Sequence, residues 1–191
     1  GTLPGFDPAP WQQMVDLGWS GILVPEAQGG LGLGLTEMAT VLQQLGRGLM
    51  ADPLPAVALA TRVLCHAAGW PGAADRLAMV TQGRNLPVVA WQEGLGGIDA
   101  AAIATQALPD GKGWRLSGSK RFVAGAAAAA GFIVSARCGD GVAQFWVDAD
   151  APGLQLDHEW RADQTPCGRL TLDDVHVGPG QCIGQDLAPL Q

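Results

Sequence analysis

Apolar residues recur every three or four positions through the first third of the chain, which is the spacing of one face of an α-helix. The clearest run carries Leu35, Met38, Leu42, Leu45 and Leu49. Proline or glycine marks the ends of several of these runs, as helix starts and stops require. Four helices are therefore predicted: Trp11 to Leu17, Leu35 to Leu49, Pro55 to Ala68 and Pro71 to Val80.

The pattern changes after Gly83, where short runs of β-branched and aromatic residues alternate with turn residues. Strands spaced this closely, with no long helices between them, are typical of an antiparallel barrel or sandwich. The strands predicted from the pattern are Leu86 to Trp91, Ala102 to Leu108, Trp114 to Ser117, Arg121 to Val123, Phe132 to Arg137, Val142 to Val147, Leu154 to Leu156 and Arg169 to Val175. The alanine-rich patch from Ala126 to Ala130 is expected to form a short helical turn or a tight loop.

This switch in periodicity predicts both the fold class and the division into domains. We expect an α+β chain in which an α-helical N-terminal domain, residues 1–83, precedes an antiparallel β-barrel domain, residues 84–191. The boundary is expected between Thr81 and Asn85. Hydrophobic residues make up 48% of the sequence and charged residues 15%, so the chain has enough apolar side chains for a packed core.

The chain is acidic, with a formal net charge of −7 and a pI near 4.7. Binding phosphates needs clustered Lys and Arg, and no such cluster occurs, so a nucleic-acid or anionic-membrane partner is not expected. No apolar run is long enough to span a bilayer, and no signal peptide is recognised. Cys65, Cys138, Cys167 and Cys182 form no metal-ligand spacing with the histidines. We therefore expect a cytoplasmic protein with reduced thiols and no metal.

Three glycine-containing segments are the most informative for function: VPEAQGGLG at residues 24–32, QEGLGGID at residues 92–99 and LSGSKRFV at residues 116–123. Their glycine spacing matches neither a P-loop nor a dinucleotide-binding turn. In this order they resemble the acyl-CoA dehydrogenase family: the first resembles a loop of its helical N-terminal domain, and the other two resemble motifs of its β-rich middle domain. The resemblance implies that the cofactor is FAD.

The resemblance assigns cofactor contacts to the glycine-rich segment that follows the first predicted strand. The family motif reads Thr-Glu-Pro-Gly-x-Gly-Ser-Asp, and its loop hydrogen-bonds the flavin ring and touches the thioester end of the substrate. By resemblance, Trp91, Gln92, Gly97 and Ile98 are cofactor-binding residues. Gln92 stands where the family has Thr, and Ile98 where it has Ser. Gln92 retains hydrogen-bonding groups in its side chain, whereas Ile98 has none.

Further cofactor contacts are implied for Phe122, Val123 and Ala124, in the segment LSGSKRFV and just beyond it. In the family an aromatic residue at the position of Phe122 packs on the flavin. Two residues later a Thr or Ser usually offers its hydroxyl to flavin N5. The methyl group of Ala124 cannot donate such a hydrogen bond. A donor held there helps to stabilise charge on the reduced ring, so its loss is expected to slow the reaction.

The activity implied by the resemblance is flavin-dependent α,β-dehydrogenation of an acyl-CoA thioester, in a homo- or hetero-oligomer that passes electrons to a partner. The family's catalytic base is a Glu in a C-terminal helical bundle, which residues 1–191 do not match. We therefore predict no catalytic residue here and expect the fragment to be inactive. The departures at Gln92, Ile98 and Ala124 resemble divergent members that act as unequal subunits on dicarboxylic or sterol-derived thioesters.

Two other interpretations stay open at the level of sequence. The same fold could carry a flavin-dependent monooxygenase or a nitroalkane oxidase. It could also be a non-catalytic partner subunit or an acyl-binding module that has lost the flavin. Flavin colour in the purified protein would separate the last interpretation from the others, and bleaching by acyl-CoA without oxygen would separate the dehydrogenase from the other enzymes.

Overall fold

The computed structural model describes residues 7–50, 52–95, 102–162 and 165–184, and it contains each predicted helix. The helices are α1 Pro8–Asp16, α2 Leu35–Arg47, α3 Leu54–His66 and α4 Ala73–Thr81. α1 begins earlier than predicted because Asp7 caps it: its side chain accepts a hydrogen bond from the Ala9 amide at 3.0 Å. Pro8, at the first helical position, also favours this start. No described helix combines the length and apolar composition needed to cross a membrane.

In the described part of the chain, eight strands follow the helices: β1 Leu86–Ala90, β2 Gln106–Asp110, β3 Gly113–Ala124, β4 Ala129–Cys138, β5 Gly141–Asp148, β6 Leu154–Trp160, β7 Pro166–Val177 and β8 Cys182–Gly184. The two strands predicted between Trp114 and Val123 form one strand, β3. They look separate in the sequence because the pairing of β3 with β7 shifts register twice, which interrupts the alternation of side chains. β2 begins four residues later than Ala102, and the three-residue β8 was not predicted. The alanine-rich patch forms a 3-10 turn at Ala126–Ala128 and then enters β4.

The strands form one sheet in the order β6-β7-β3-β2-β4-β5-β8, with β1 also paired to β4. β1 runs parallel to β4, from Leu86 opposite Ala129 to Ala90 opposite Val134. β2 also meets β4 in parallel, through Gln106 and Arg137. No ladder joins β6 to β8 among the described strands. The sheet is therefore mixed and open, and in this it differs from the predicted antiparallel barrel. The side-chain period is the same in both strand orientations, so the sequence pattern could not separate them.

Two apolar cores lie on opposite faces of β4. Ile133 and Trp146 belong to the core that packs the helices against β1, β4 and β5, together with Val57 and Leu64 of α3. Val134, the neighbour of Ile133, belongs to the core inside the sheet. Successive residues of a strand point to opposite faces, so β4 serves both cores and is buried along most of its length.

Arg76 of α4 lies between two tryptophan rings and connects the helices to β5. Its guanidinium carbon is 4.6 Å from the ring centroid of Trp70 and 4.0 Å from that of Trp146. Each indole N–H is anchored: Trp146 donates to Asp148 at 2.6 Å, and Trp70 donates to the Gly180 carbonyl at 2.7 Å. The cluster therefore combines cation–π attraction with hydrogen bonds that fix both rings.

Replacing Trp146 by Ala should lower the free energy of unfolding by about 3 kcal/mol, because it opens a cavity between the helices and the sheet and removes the face on which Arg76 stacks. Trp146 is 4% exposed, whereas Trp160 is 58% exposed and provides a matched control. Trp160→Ala should change stability by no more than about 0.5 kcal/mol. Chemical denaturation measures both, and an equal loss in the two variants would contradict this account.

Candidate functional site

Glu93, just beyond the end of β1, receives hydrogen bonds from three directions. Thr105 donates to its Oε1 through both its hydroxyl, at 2.6 Å, and its amide, at 3.0 Å. The Ala104 amide donates to Oε2 at 2.7 Å. Lys120 of β3 completes the set, with Nζ 2.6 Å from Oε1. One carboxylate therefore joins the end of β1, the segment before β2 and the middle of β3.

The Lys120 side chain is completely buried, yet its ammonium group is well supplied with acceptors. Besides Glu93, Nζ donates to the Ser135 hydroxyl of β4 at 3.2 Å and to the Trp91 carbonyl at 3.5 Å. Burial lowers the pKa of Lys120, and the bond to Glu93 opposes that change. Burial would by itself raise the pKa of Glu93, but the hydrogen bonds from Lys120, Thr105 and Ala104 outweigh it and hold that pKa below its ordinary value.

The two motif segments meet directly beside this ion pair. The Arg121 amide donates to the Gln92 carbonyl at 2.7 Å, which joins β3 to the end of β1. The next residue, Phe122, has a φ of +55°, in the left-handed region that non-glycine residues rarely adopt. The register of β3 against β7 shifts between Lys120 and Val123, so Arg121 and Phe122 form a bulge. The Arg121 guanidinium lies 5.0 Å from the centre of the half-buried Phe122 ring.

Gly118 lets Thr105 approach β3 closely. Its φ is +152°, and a Cβ atom added there would lie 2.7 Å from the Thr105 Cα. Any side chain at this position would therefore displace the residue that donates twice to Glu93. The close approach of Thr105 therefore explains why glycine occupies this position, without any contribution from a ligand.

A cavity of about 260 Å³ opens at the end of β3, next to the bulge. Most of its lining residues are small or apolar, and a few are polar. The complete lining consists of Met50, Asp52, Pro53, Pro55, Ala56, Ala124, Gly125, Ala126, Ala127, Ala128, His158, Arg161, Thr165, Pro166 and Cys167. The segment before α3 and the first turn of α3 contribute the first five, and the strands with their connecting turns contribute the rest. Burial raises the pKa of Asp52, although its side chain accepts a hydrogen bond from the Leu54 amide at 2.8 Å.

The described residues among those predicted to bind the cofactor lie in different parts of the structure. Ala124 is exposed on the cavity wall, whereas Phe122 lies in the bulge and Gln92 is bonded to the bulge through the Arg121 amide. Trp91 packs against the core between the helices and the sheet, and Val123 is buried in the core within the sheet. Gly97 and Ile98 lie outside the described residues, so the structure says nothing of their predicted roles.

Sequence reasoning missed the network around Glu93. The segments QEGLGGID and LSGSKRFV contain Glu93 and Lys120 but assign them no role, and Thr105 and Ser135 carry no sequence signal of their own. A Lys in a strand pattern that otherwise faces the core is a sequence clue to a buried partner, because a buried charge needs compensation. In the described part of the chain, no group of His, Cys, Asp and Glu is arranged to hold a metal ion.

Two family models match the chain in order. The model described as the acyl-CoA dehydrogenase N-terminal domain matches residues 3–70, and that of the middle domain matches residues 89–175. Acyl-CoA dehydrogenase FadE27 of Mycobacterium tuberculosis is 30% identical over 186 residues, which cover 94% of this chain and 47% of that protein. Benzylmalonyl-CoA dehydrogenase of Aromatoleum aromaticum is 30% identical over 159 residues, which cover 81% of this chain and 42% of that protein. The chain thus spans about half the length of these relatives.

Solved structures agree with this result. A variant of the Tcur3481-Tcur3483 steroid ACAD is 35% identical with a TM-score of 0.83, and the match covers 97% of this chain and 49% of that one. The ChsE4-ChsE5 complex of Mycobacterium tuberculosis is 28% identical with a TM-score of 0.83, and the match covers 97% of this chain and 50% of that one.

Replacing Glu93 by Gln should lower stability at pH 7 by about 3 kcal/mol, because it leaves the buried Lys120 ammonium without its counter-charge. It should also flatten the acid limb of the stability curve. The folded-state pKa of Glu93 lies below its ordinary value of 4.5, so its contribution is complete above pH 4.5 and is lost as the pH falls through the folded pKa. Denaturant unfolding between pH 3 and pH 7, conditions set by that window, measures both effects.

Asp110→Asn is the matched control, because Asp110 pairs with Arg115 at 2.8 Å on the surface, where both side chains are more than two-fifths exposed. It should change stability at pH 7 by no more than about 0.5 kcal/mol. A Glu93→Gln variant with the wild-type acid limb would contradict the assigned pKa direction.

Proposed function

Because the chain belongs to the acyl-CoA dehydrogenase family, we propose that it forms the helical and sheet parts of an FAD-dependent enzyme that dehydrogenates an acyl-CoA thioester at its α and β carbons. The observation that carries this proposal is the meeting of the two motif segments. Gln92 at the end of β1 and Phe122 in the bulge of β3 are joined by the bond between the Arg121 amide and the Gln92 carbonyl. Ala124, two residues beyond Phe122, lies on the wall of a cavity that neither Gln92 nor Phe122 lines.

The residues around this cavity suit a flavin ring. Ligand pockets are mostly apolar with a few polar groups, and typically have volumes of about 300 Å³ or more. Alanines and prolines form most of this lining, and the polar groups are those of Asp52, His158, Arg161 and Thr165. A cavity of about 260 Å³ is suited to a planar ring system and not to a whole FAD molecule. The rest of the cofactor would therefore be held by other parts of the protein.

The flavin, when bound, supplies the hydride acceptor for this reaction. The residues of this chain position it. The Gln92 side chain donates to the Gly94 carbonyl at 3.0 Å and keeps further hydrogen-bonding capacity for a ring edge. Phe122 offers an aromatic face, and the backbone of the bulge can approach a planar ring closely. Ala124 adds a methyl group and no donor, which favours a slow or specialised enzyme, or the less active half of a hetero-oligomer.

We also propose a division into two domains at residue 83, a cytoplasmic location, and assembly with a partner subunit. α4 ends at Thr81 and β1 begins at Leu86, which supports the boundary. The names of two structural relatives pair two components, as in the ChsE4-ChsE5 complex, and this supports a hetero-oligomer. We further propose that it passes electrons to an acceptor protein. Sterol-derived thioesters are the substrate class that we propose, since one of these relatives is called a steroid ACAD. No described residue favours a monooxygenase or a nitroalkane oxidase.

Replacing Phe122 by Ala should weaken flavin retention about tenfold, because it removes the aromatic ring that we propose to pack on the flavin. Leu108→Ala, on the exposed face of β2, is the control and should leave retention unchanged, since Leu108 is 62% exposed. Flavin titration followed by fluorescence measures both dissociation constants. Unchanged retention in Phe122→Ala would assign Phe122 to packing within the sheet, and a wild-type protein that binds no flavin would contradict the proposed function.

The 191-residue polypeptide by itself should show no acyl-CoA turnover, even when it is folded and loaded with flavin. The reaction needs a base on the far side of the substrate from the flavin, and none is assigned here. Anaerobic bleaching of the flavin by acyl-CoA thioesters, followed by absorbance, tests this expectation. Dithionite serves as the positive control, because it reduces bound flavin without a base. Measurable bleaching by any thioester would show that these residues contain a base.

A further inference from the structure

The buried ion pair between Lys120 and Glu93 has a high desolvation cost for a contact that only stabilises the fold. The Lys120 side chain is 0% exposed and that of Glu93 is 18% exposed, with 2.6 Å between Nζ and Oε1. Removing two charges from water costs free energy that their attraction often only balances, so a well-packed apolar pair would serve stability equally well. A pair of this kind is better explained when its geometry serves a purpose that apolar contacts cannot.

Apolar contacts are not directional, whereas the hydrogen bonds of this pair constrain the orientation of each backbone segment that they join. Glu93 accepts from Lys120, Thr105 and Ala104, and Lys120 also donates to Ser135. Four backbone segments therefore converge on one pair of charges. Each bond has a preferred angle, so the segments can rotate or slide little against one another without losing it.

The position of the pair along the chain links it to Gln92 and Phe122, the residues proposed to contact the flavin. Glu93 directly follows Gln92, and Lys120 comes two residues before Phe122. Between them, the Arg121 amide donates to the Gln92 carbonyl at 2.7 Å. The strained φ of +55° at Phe122 persists only where the surroundings determine it, and the adjacent buried pair provides that constraint.

We propose that Lys120 and Glu93 are positioning residues, which lock the end of β1 to the bulge of β3 and thereby set the placement of Gln92 and Phe122 for a bound flavin. The effect on flavin rests on the proposed function, whereas the lock itself does not. Neither side chain needs to touch the cofactor. The lock acts through the backbone of its neighbours.

Four variants test the lock in the complete protein. Lys120→Met and Glu93→Gln each remove one charge. The double variant removes both charges but keeps one amide oxygen, which can accept from Thr105 or from Ala104, and it should regain stability over Glu93→Gln because no charge is left unpaired. Arg115→Met is the matched control, since Arg115 also lies in β3 but pairs with Asp110 at the surface.

Hydrogen exchange of the Arg121 amide reports the lock directly, and the flavin dissociation constant and visible absorption bands report its consequence. Exchange at Arg121 should quicken about tenfold or more in both single variants and in the double variant, as expected when a buried charged partner is lost. Flavin affinity should fall by a similar factor, with altered absorption bands, in these variants and not in Arg115→Met.

The proposal would be overturned if the double variant regained stability and, with it, both the slow exchange of the Arg121 amide and the wild-type flavin affinity. The pair would then have a purely structural role. Equal effects in Arg115→Met would also overturn it. A wild-type protein that binds no flavin would contradict the proposed function, and the exchange rates would still decide whether the lock exists.

Discussion

Lys120 places a positive charge inside the sheet, and much of the surrounding structure follows from the need to compensate for it. Glu93 must lie within reach, so the chain beyond β1 passes over the middle of β3. Thr105 must come close enough to donate to Glu93, and Gly118 makes room for it. The glycine and the lysine of this motif are therefore linked. Gly118 makes room for Thr105, and Thr105 helps to hold Glu93, the counter-charge of Lys120.

The second organising element is β4, which serves two cores at once. Ile133 faces the helices, and Val134 faces the interior of the sheet. On the helix side, Arg76 between Trp70 and Trp146 adds a polar connection to this apolar contact. The cavity lies where helix and sheet residues converge, between the segment before α3 and the hairpin of β6 and β7. Its shape therefore depends on the contact between helices and sheet as much as on the sheet alone.

The sequence predicted the four helices well, because their apolar spacing and terminal prolines act locally. It predicted the strands but not their arrangement: the parallel pairing of β1 with β4 depends on contacts more than 40 residues apart in the chain. The motifs pointed to Gln92, Phe122 and Ala124, whereas the burial of Trp91 and Val123 in cores could not be read from them. The network of Glu93, Thr105 and Ser135 was missed because hydrogen bonds between distant segments leave no periodic signal.

The parallel pairing of β1 with β4 also has a consequence for how the chain acquires its structure. The apolar face that α3 presents, including Val57 and Leu64, is completed by Ile133 and Trp146 from strands made much later in synthesis. Until those strands arrive, the helices carry an uncovered apolar surface, and such surfaces favour aggregation. We expect the helices and the sheet to fold as one cooperative unit, so the division at residue 83 separates two kinds of structure and not two independently folding parts, and a polypeptide cut there would yield two pieces that each need the other to become soluble.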